Sequence, residues 1–143
     1  MRASATQAPA DDRGLDTLHV AGLTLRGVSR GGVETCLMVK ELRVMFDVGM
    51  CPPGSQSYDH VLVSHGHADH LGGVHYLASL RSMYGMRPLQ VHAPAEVIAP
   101  LRRVFDAWAE IEHHRAPVEL HGYAPGDRSG GYGFRLRCAS PIL

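Results

Sequence analysis

The sequence predicts an α/β fold, a sheet covered by helices, and three observations predict it. Short β-type runs crowd the first half, two stretches of helical periodicity come after them, and further β-type runs separate and follow those helices. A strand group succeeded by helix, strand, helix, strand and strand is the order of helices packed on a sheet. At 143 residues with 45% apolar content, the chain is one domain's worth and can bury roughly two-thirds of its unfolded surface.

The elements follow in order. Leu23–Val28, Cys36–Val39 and Leu42–Phe46 are short, rich in branched or long apolar residues, and bounded by glycine or charge, as strands are. The second and third read as a hairpin around Lys40-Glu41. His60-Val-Leu-Val63 is a fourth strand, its unbroken apolar run suited to burial on both faces. Gly72-Gly73 opens a helix to about Tyr84 with Val74, Leu77, Leu80 and Met83 on one face and Gly85 as its stop. Leu89–His92 is a strand. From Pro94 a second helix runs to about Glu112, with Val97, Ile98, Leu101, Val104, Phe105, Trp108 and Ile111 as its stripe and Pro100 as a bend. Val118–Leu120 and Phe134–Cys138 read as strands flanking a Pro125-Gly126-Asp127 turn.

Charge and cysteines bound the function. Formal charge is zero, 14 basic against 14 acidic residues, so the bulk balance neither supports nor forbids a nucleic-acid partner. Cys36, Cys51 and Cys138 form no CxxC pair and leave an odd one over, which argues for free thiols in a reducing, cytoplasmic compartment. No apolar run approaches the ~20 residues that span a bilayer, so no membrane partner is expected. Met1–Asp16 has no apolar core of a secretion signal; it reads as a disordered leader, with the domain spanning 17–143.

Half of the ten histidines lie between His60 and His75, and within that stretch the spacing is His-x-His-x-Asp-His. It falls between a buried strand and a helix, where α/β sheets place ligand sites. His65 and His67 point the same way if the first residues stay extended, so they can share one ion. Asp69 and His70 follow after the chain has turned and can address a second. Gly66 and Ala68 leave room between them. The alternative is a histidine-rich loop that only satisfies hydrogen bonds, but four potential ligands in six residues at such a junction favour metal. His75, His92 and Cys51 read as structural, His113, His114 and His121 as solvated, and Asp127 as a turn residue. Asp47 ends a strand and by residue type alone equally suits a turn cap.

The motif and its setting resemble the metallo-β-lactamase superfamily, and within it ribonuclease Z, the tRNA 3′-processing endonuclease. The resemblance runs through Gly31-Gly32-Val33-Glu34-Thr35-Cys36, Phe46-Asp47-Val48-Gly49-Met50-Cys51-Pro52 and Ser64-His65-Gly66-His67-Ala68-Asp69-His70-Leu71-Gly72-Gly73. It implies the first half of an αββα sandwich, a mixed sheet covered by helices and apparently truncated. It implies that His65 and His67 hold one zinc and Asp69 and His70 the other, that Asp69 also transfers protons, and that Asp47 orients the histidine loop from behind. Manganese or iron would suit the same ligands. The family adds a strand His, a bridging Asp and a late His from a second α/β half, none of which is placed here. Each ion then has two protein ligands, fewer than the three of a catalytic zinc site. The implied activity is endonucleolytic removal of the 3′ trailer from precursor tRNA, and the family allows a homodimer. The alternatives are a thioester or lactone hydrolase on the same fold, or an inactive fragment.

Overall fold

The structure, a computed structural model, describes residues 5–8, 14–129 and 136–137, with 8, 129 and 136–137 as backbone alone. Its main sheet has eight strands in sequential order: β1 (Thr6–Ala8), β2 (Asp16–Val20), β3 (Leu23–Arg30), β4 (Glu34–Val39), β5 (Val44–Phe46), β6 (His60–Leu62), β7 (Leu89–Pro94) and β8 (Val118–Tyr123). The first five pair antiparallel and β5 to β8 pair parallel, so the sheet is mixed. Parallel neighbours need crossovers. These are the loop 47–59 with a single 3-10 turn at Ser55–Ser57 between β5 and β6, α1 (Ala68–Leu71) with α2 (Val74–Met83) between β6 and β7, and α3 (Ala95–Glu112) between β7 and β8.

Strands β3 to β8 and both longer helices lie where the periodicity put them, and β4 and β5 form the expected hairpin. Strand β2 carried no recognised turn signal. It pairs with β3 across Ala21-Gly22, both at positive φ (49° and 78°), the two-residue geometry that matches strand twist. Within the segment expected as a leader, Thr6–Ala8 pairs with β2 and Leu15 is buried, because an open strand edge offers a ladder to any extended backbone. Of the strand expected at Phe134–Cys138, Leu136–Arg137 pairs with Arg128–Ser129; the rest, Cys138 included, lies outside the described residues.

The core lies between one sheet face and the helices. Met38, Met45, Val61 and Val91 stand on that face, against Val74, Leu77 and Ala78 of α2 and Leu101 and Phe105 of α3. Two details of the expected helix faces are corrected. Met83 is 83% exposed and the buried residue in the last turn of α2 is Arg81. In α3, Val104, Trp108 and Ile111 are exposed. An 18-residue helix is about 27 Å long and the six-residue strands beneath it about 20 Å, so the last turns, with Trp108 and Ile111, outrun their support. Val104 instead stands beside the buried Phe105 and off its face. No helix among the described residues is long and apolar enough to cross a membrane.

The register row Phe46, Leu62, His92, His121 runs across β5 to β8, and alternation points it to the face away from the helices. His121 is not simply solvated: its Nε2 lies 2.8 Å from Gln90 Oε1 and its ring stacks on His92 at 4.8 Å. His92 Nε2 is 3.2 Å from His60 Nδ1. Burial, with His121 and His60 beside it, pushes His92 down to about 4 from an ordinary 6.5. A depressed histidine is protonated first in the unfolded chain. Stability is therefore expected to be full above about 6.5, to decline as pH falls, and to level off near 4, where folded His92 also protonates. A shift of that size is worth about 3 kcal/mol. Urea titrations across this window should show the slope in the native chain and a flatter one in His92→Gln; equal slopes would refute the assignment.

Candidate metal centre

The histidine loop springs from the carboxyl end of β6, and its shape is set by Asp47. That residue follows β5 with φ at 59°, a left-handed conformation that Asp tolerates better than most side chains. The turn brings its buried carboxylate beneath the loop. Ser64 N–H donates to Oδ1 at 2.7 Å, Ser64 Oγ–H donates to Oδ2 at 2.7 Å, and His70 Nδ1 stands 2.8 Å from Oδ2. The sequence left Asp47 between a turn cap and a loop-orienting carboxylate; its carboxylate contacts Ser64 and His70 of the loop.

These bonds dictate where the imidazole protons sit. An ionised carboxylate only accepts, so His70 carries its proton on Nδ1. Ser64 has given its hydroxyl proton to Asp47 and can only accept from His65 Nδ1, 2.9 Å away. In their neutral form both rings are thereby held as the tautomer with an unprotonated Nε2, the form in which imidazole ligates a metal.

His65 Nε2 then faces His67 Nδ1 at 3.2 Å, and His70 Nε2 lies 3.4 Å from Asp69 Oδ2. Two donors bound tetrahedrally to one zinc at 2.0–2.1 Å sit about 3.3–3.4 Å apart, so each pair has the spacing of a shared ion. The rings of His67 and His70 are 4.6 and 4.1 Å from that of His65. Among the described residues no group of three or more His, Cys, Asp or Glu is arranged to hold a metal. The donor chemistry fits the implied ions, two ligands to each.

Asp69 is held ionised. Burial opposes its charge, but the hydrogen bond from Gly32 N–H (3.0 Å) and the neighbouring His70 and His67 outweigh it and bring the carboxyl below its usual range. Beneath the loop, Val48 N–H donates to His70 O and Gly73 N–H to Val48 O, both at 2.8 Å. The Asp47–Met50 segment and α1 are thus laced together. Above it, Val97 of α3 lies 3.5 Å from where a Cβ on Gly66 would be, so the start of the helix lies within contact distance of the loop.

The other candidates have partners of their own. Cys51 Sγ lies 3.0 Å from Ser55 Oγ and burial raises its pKa. His75 packs on Phe105 and Trp108. His113 and His114 are exposed, and Asp127 closes its own turn by accepting Ala124 N–H at 2.8 Å. Sequence reasoning missed the roles of Ser64, Gly32 and Gly49 as partners of the ligands; glycines just before β4 and just after β5 were the visible signal.

Replacing Asp47 with alanine would leave Ser64 N–H and His70 Nδ1–H without their acceptor. Stability is expected to fall by about 2 kcal/mol, and metal affinity by about 10- to 100-fold. Denaturant unfolding and a metal titration check the two halves; unchanged affinity would show that Asp47 does not set the tautomers.

Residues 45–139 match the model of the β-lactamase superfamily domain. The chain is 31% identical over 110 residues to tRNase Z TRZ1 of Arabidopsis thaliana, 77% of this chain and 39% of that one. It is 32% identical over 108 residues to nuclear ribonuclease Z of Triticum aestivum, covering 72% and 61% of the two, and 29% identical to chloroplastic tRNase Z TRZ2 of Arabidopsis thaliana, covering 77% and 31%. It thus spans between about a third and three-fifths of these relatives' length. With a family model matched over most of the chain and a histidine loop between strand and helix, the chain belongs to the metallo-β-lactamase superfamily.

Proposed function

We propose that the chain serves a metal-dependent phosphodiesterase of ribonuclease Z type, acting on the 3′ trailer of precursor tRNA. The observation that carries the reading is the pairing of donors, His65 with His67 and Asp69 with His70, each at the spacing of ligands on one ion. The names of the three relatives supply the substrate class. Zinc is the first expectation, with manganese or iron also suited to imidazole and carboxylate. When bound, such ions supply Lewis acidity toward a phosphodiester and acidify water.

The chain's own residues do the rest. Asp47 and Ser64 keep the Nε2 lone pairs of His70 and His65 turned outward. Asp69, held as a carboxylate, can take a proton from water at the site and release it to a leaving oxygen. Free Cys36 and Cys51 accord with a reducing, cytoplasmic compartment.

The test is cleavage of a 3′-extended tRNA beside a thioester substrate, with zinc counted per chain. RNA cleavage lost in His67→Ala is expected. Thioester hydrolysis alone would move the protein to another reaction on the same fold. Silence on both, with less than one zinc per chain, would mark an inactive fragment.

A further inference from the structure

The turn between β3 and β4 reaches the metal site through one backbone group. Val33 N–H donates to Arg30 O at 2.9 Å, closing a four-residue turn with Gly32 in third place at φ 74°, the position where a type II turn demands glycine. In such a turn the central peptide takes no part in the closing bond, so the Gly32 N–H is available for another partner. It donates to Asp69 Oδ2 at 3.0 Å, across 37 residues of sequence. The turn itself is braced by the ion pair of Arg30 with the buried Glu34.

The same Asp69 oxygen lies 3.4 Å from His70 Nε2. A carboxylate oxygen has two lone-pair directions. With one taken by the Gly32 N–H, the other is left toward the space that His70 Nε2 also faces. Without that donor, Asp69 is free to rotate about its side-chain bonds and ligates with its full rotamer entropy to lose.

We propose that Gly32 is a positioning residue of the metal site, its backbone N–H orienting Asp69 for metal ligation. This rests on the metal-hydrolase reading above. In the full chain with Mn(II) as probe, Gly32→Ala should raise the dissociation constant about tenfold. An added Cβ there meets nothing within 4 Å, so the effect comes from the left-handed φ that alanine resists. Gly31→Ala, equally unobstructed and without a left-handed φ, should bind Mn(II) as the native chain does. An amide-to-ester replacement at Gly32 deletes the N–H with no side chain added; it should also weaken Mn(II) about tenfold, while the same replacement at Gly31 should not. That contrast decides the matter if Gly32→Ala fails to fold. Native binding that persists undiminished in the Gly32 ester overturns the role of Gly32 and leaves the metal reading standing. A native chain that is folded by circular dichroism yet binds no Mn(II) overturns both.

Discussion

A Gly49→Ala chain is expected to lose about 4 kcal/mol of stability or more, and with it the metal site. The reason is a collision between backbones. A Cβ on Gly49 would lie 1.9 Å from the carbonyl oxygen of Asp69 and 2.5 Å from its carbonyl carbon. No rotamer change relieves this, because neither atom belongs to a side chain. Relief requires the segment after β5 and the start of α1 to separate, and they are tied by Val48 N–H to His70 O and by Gly73 N–H to Val48 O. Gly49 N–H is itself committed to Thr35 O at 3.1 Å. One methyl group therefore sets three backbone hydrogen bonds against a steric overlap, with Asp69 and His70 at the junction. Denaturant unfolding and a metal titration measure both losses. A variant that melts within a few degrees of the native chain and keeps its affinity would show that the two segments do not meet this closely.

Arg81→Met should cost about 3–4 kcal/mol. The side chain is 1% exposed and its guanidinium binds four acceptors: Gln56 O at 2.7 Å, Tyr58 O at 2.6 Å, Asp59 Oδ1 at 2.9 Å and Arg87 O at 2.9 Å. Three are carbonyls of irregular backbone with no ladder of their own to fall back on. Methionine fills the volume and removes every donor. The loss is less than that of a wholly unpaired buried charge, since Asp59 keeps its two bonds from Arg43 at 2.7 and 3.2 Å. Arg81→Lys should recover only part of the stability, because an ammonium cannot spread its donors over a planar fork. If methionine proved neutral, the loop before β6 would hold its shape without the clamp, and Arg81 would be replaceable by any apolar residue of its size.

Arg81 also shows where pattern reading fails. Periodicity nominated Met83 for the inner face of α2, on the rule that apolar residues go inside. The rule has no way to see three carbonyls gathered by the Gln56–Tyr58 loop and the Arg87 turn, which together make a buried arginine favourable. The apolar stripe of α3 was likewise legible in period but not in extent, for Val104, Trp108 and Ile111 are exposed beside the buried Leu101 and Phe105. Hairpin β2–β3 went unread because Ala21-Gly22 is an uncommon pair for its turn.

By itself the sequence determined the alternation of strands and helices, the hairpin at Lys40-Glu41, and the crowding of imidazoles and carboxylate between a buried strand and a helix. Those are short-range matters: period, turn chemistry and residue spacing act within a few positions of one another. Only the tertiary structure decided that Nδ1 of His65 and His70 faces an acceptor, because that depends on Asp47, 17 residues before Ser64 and 23 before His70. Only it showed Gly32 closing on Asp69 from the turn between β3 and β4, and Gly49 from the segment after β5. Hydrogen bonds and steric contacts act over about 3 Å, and nothing in linear order says which distant backbones will come that near.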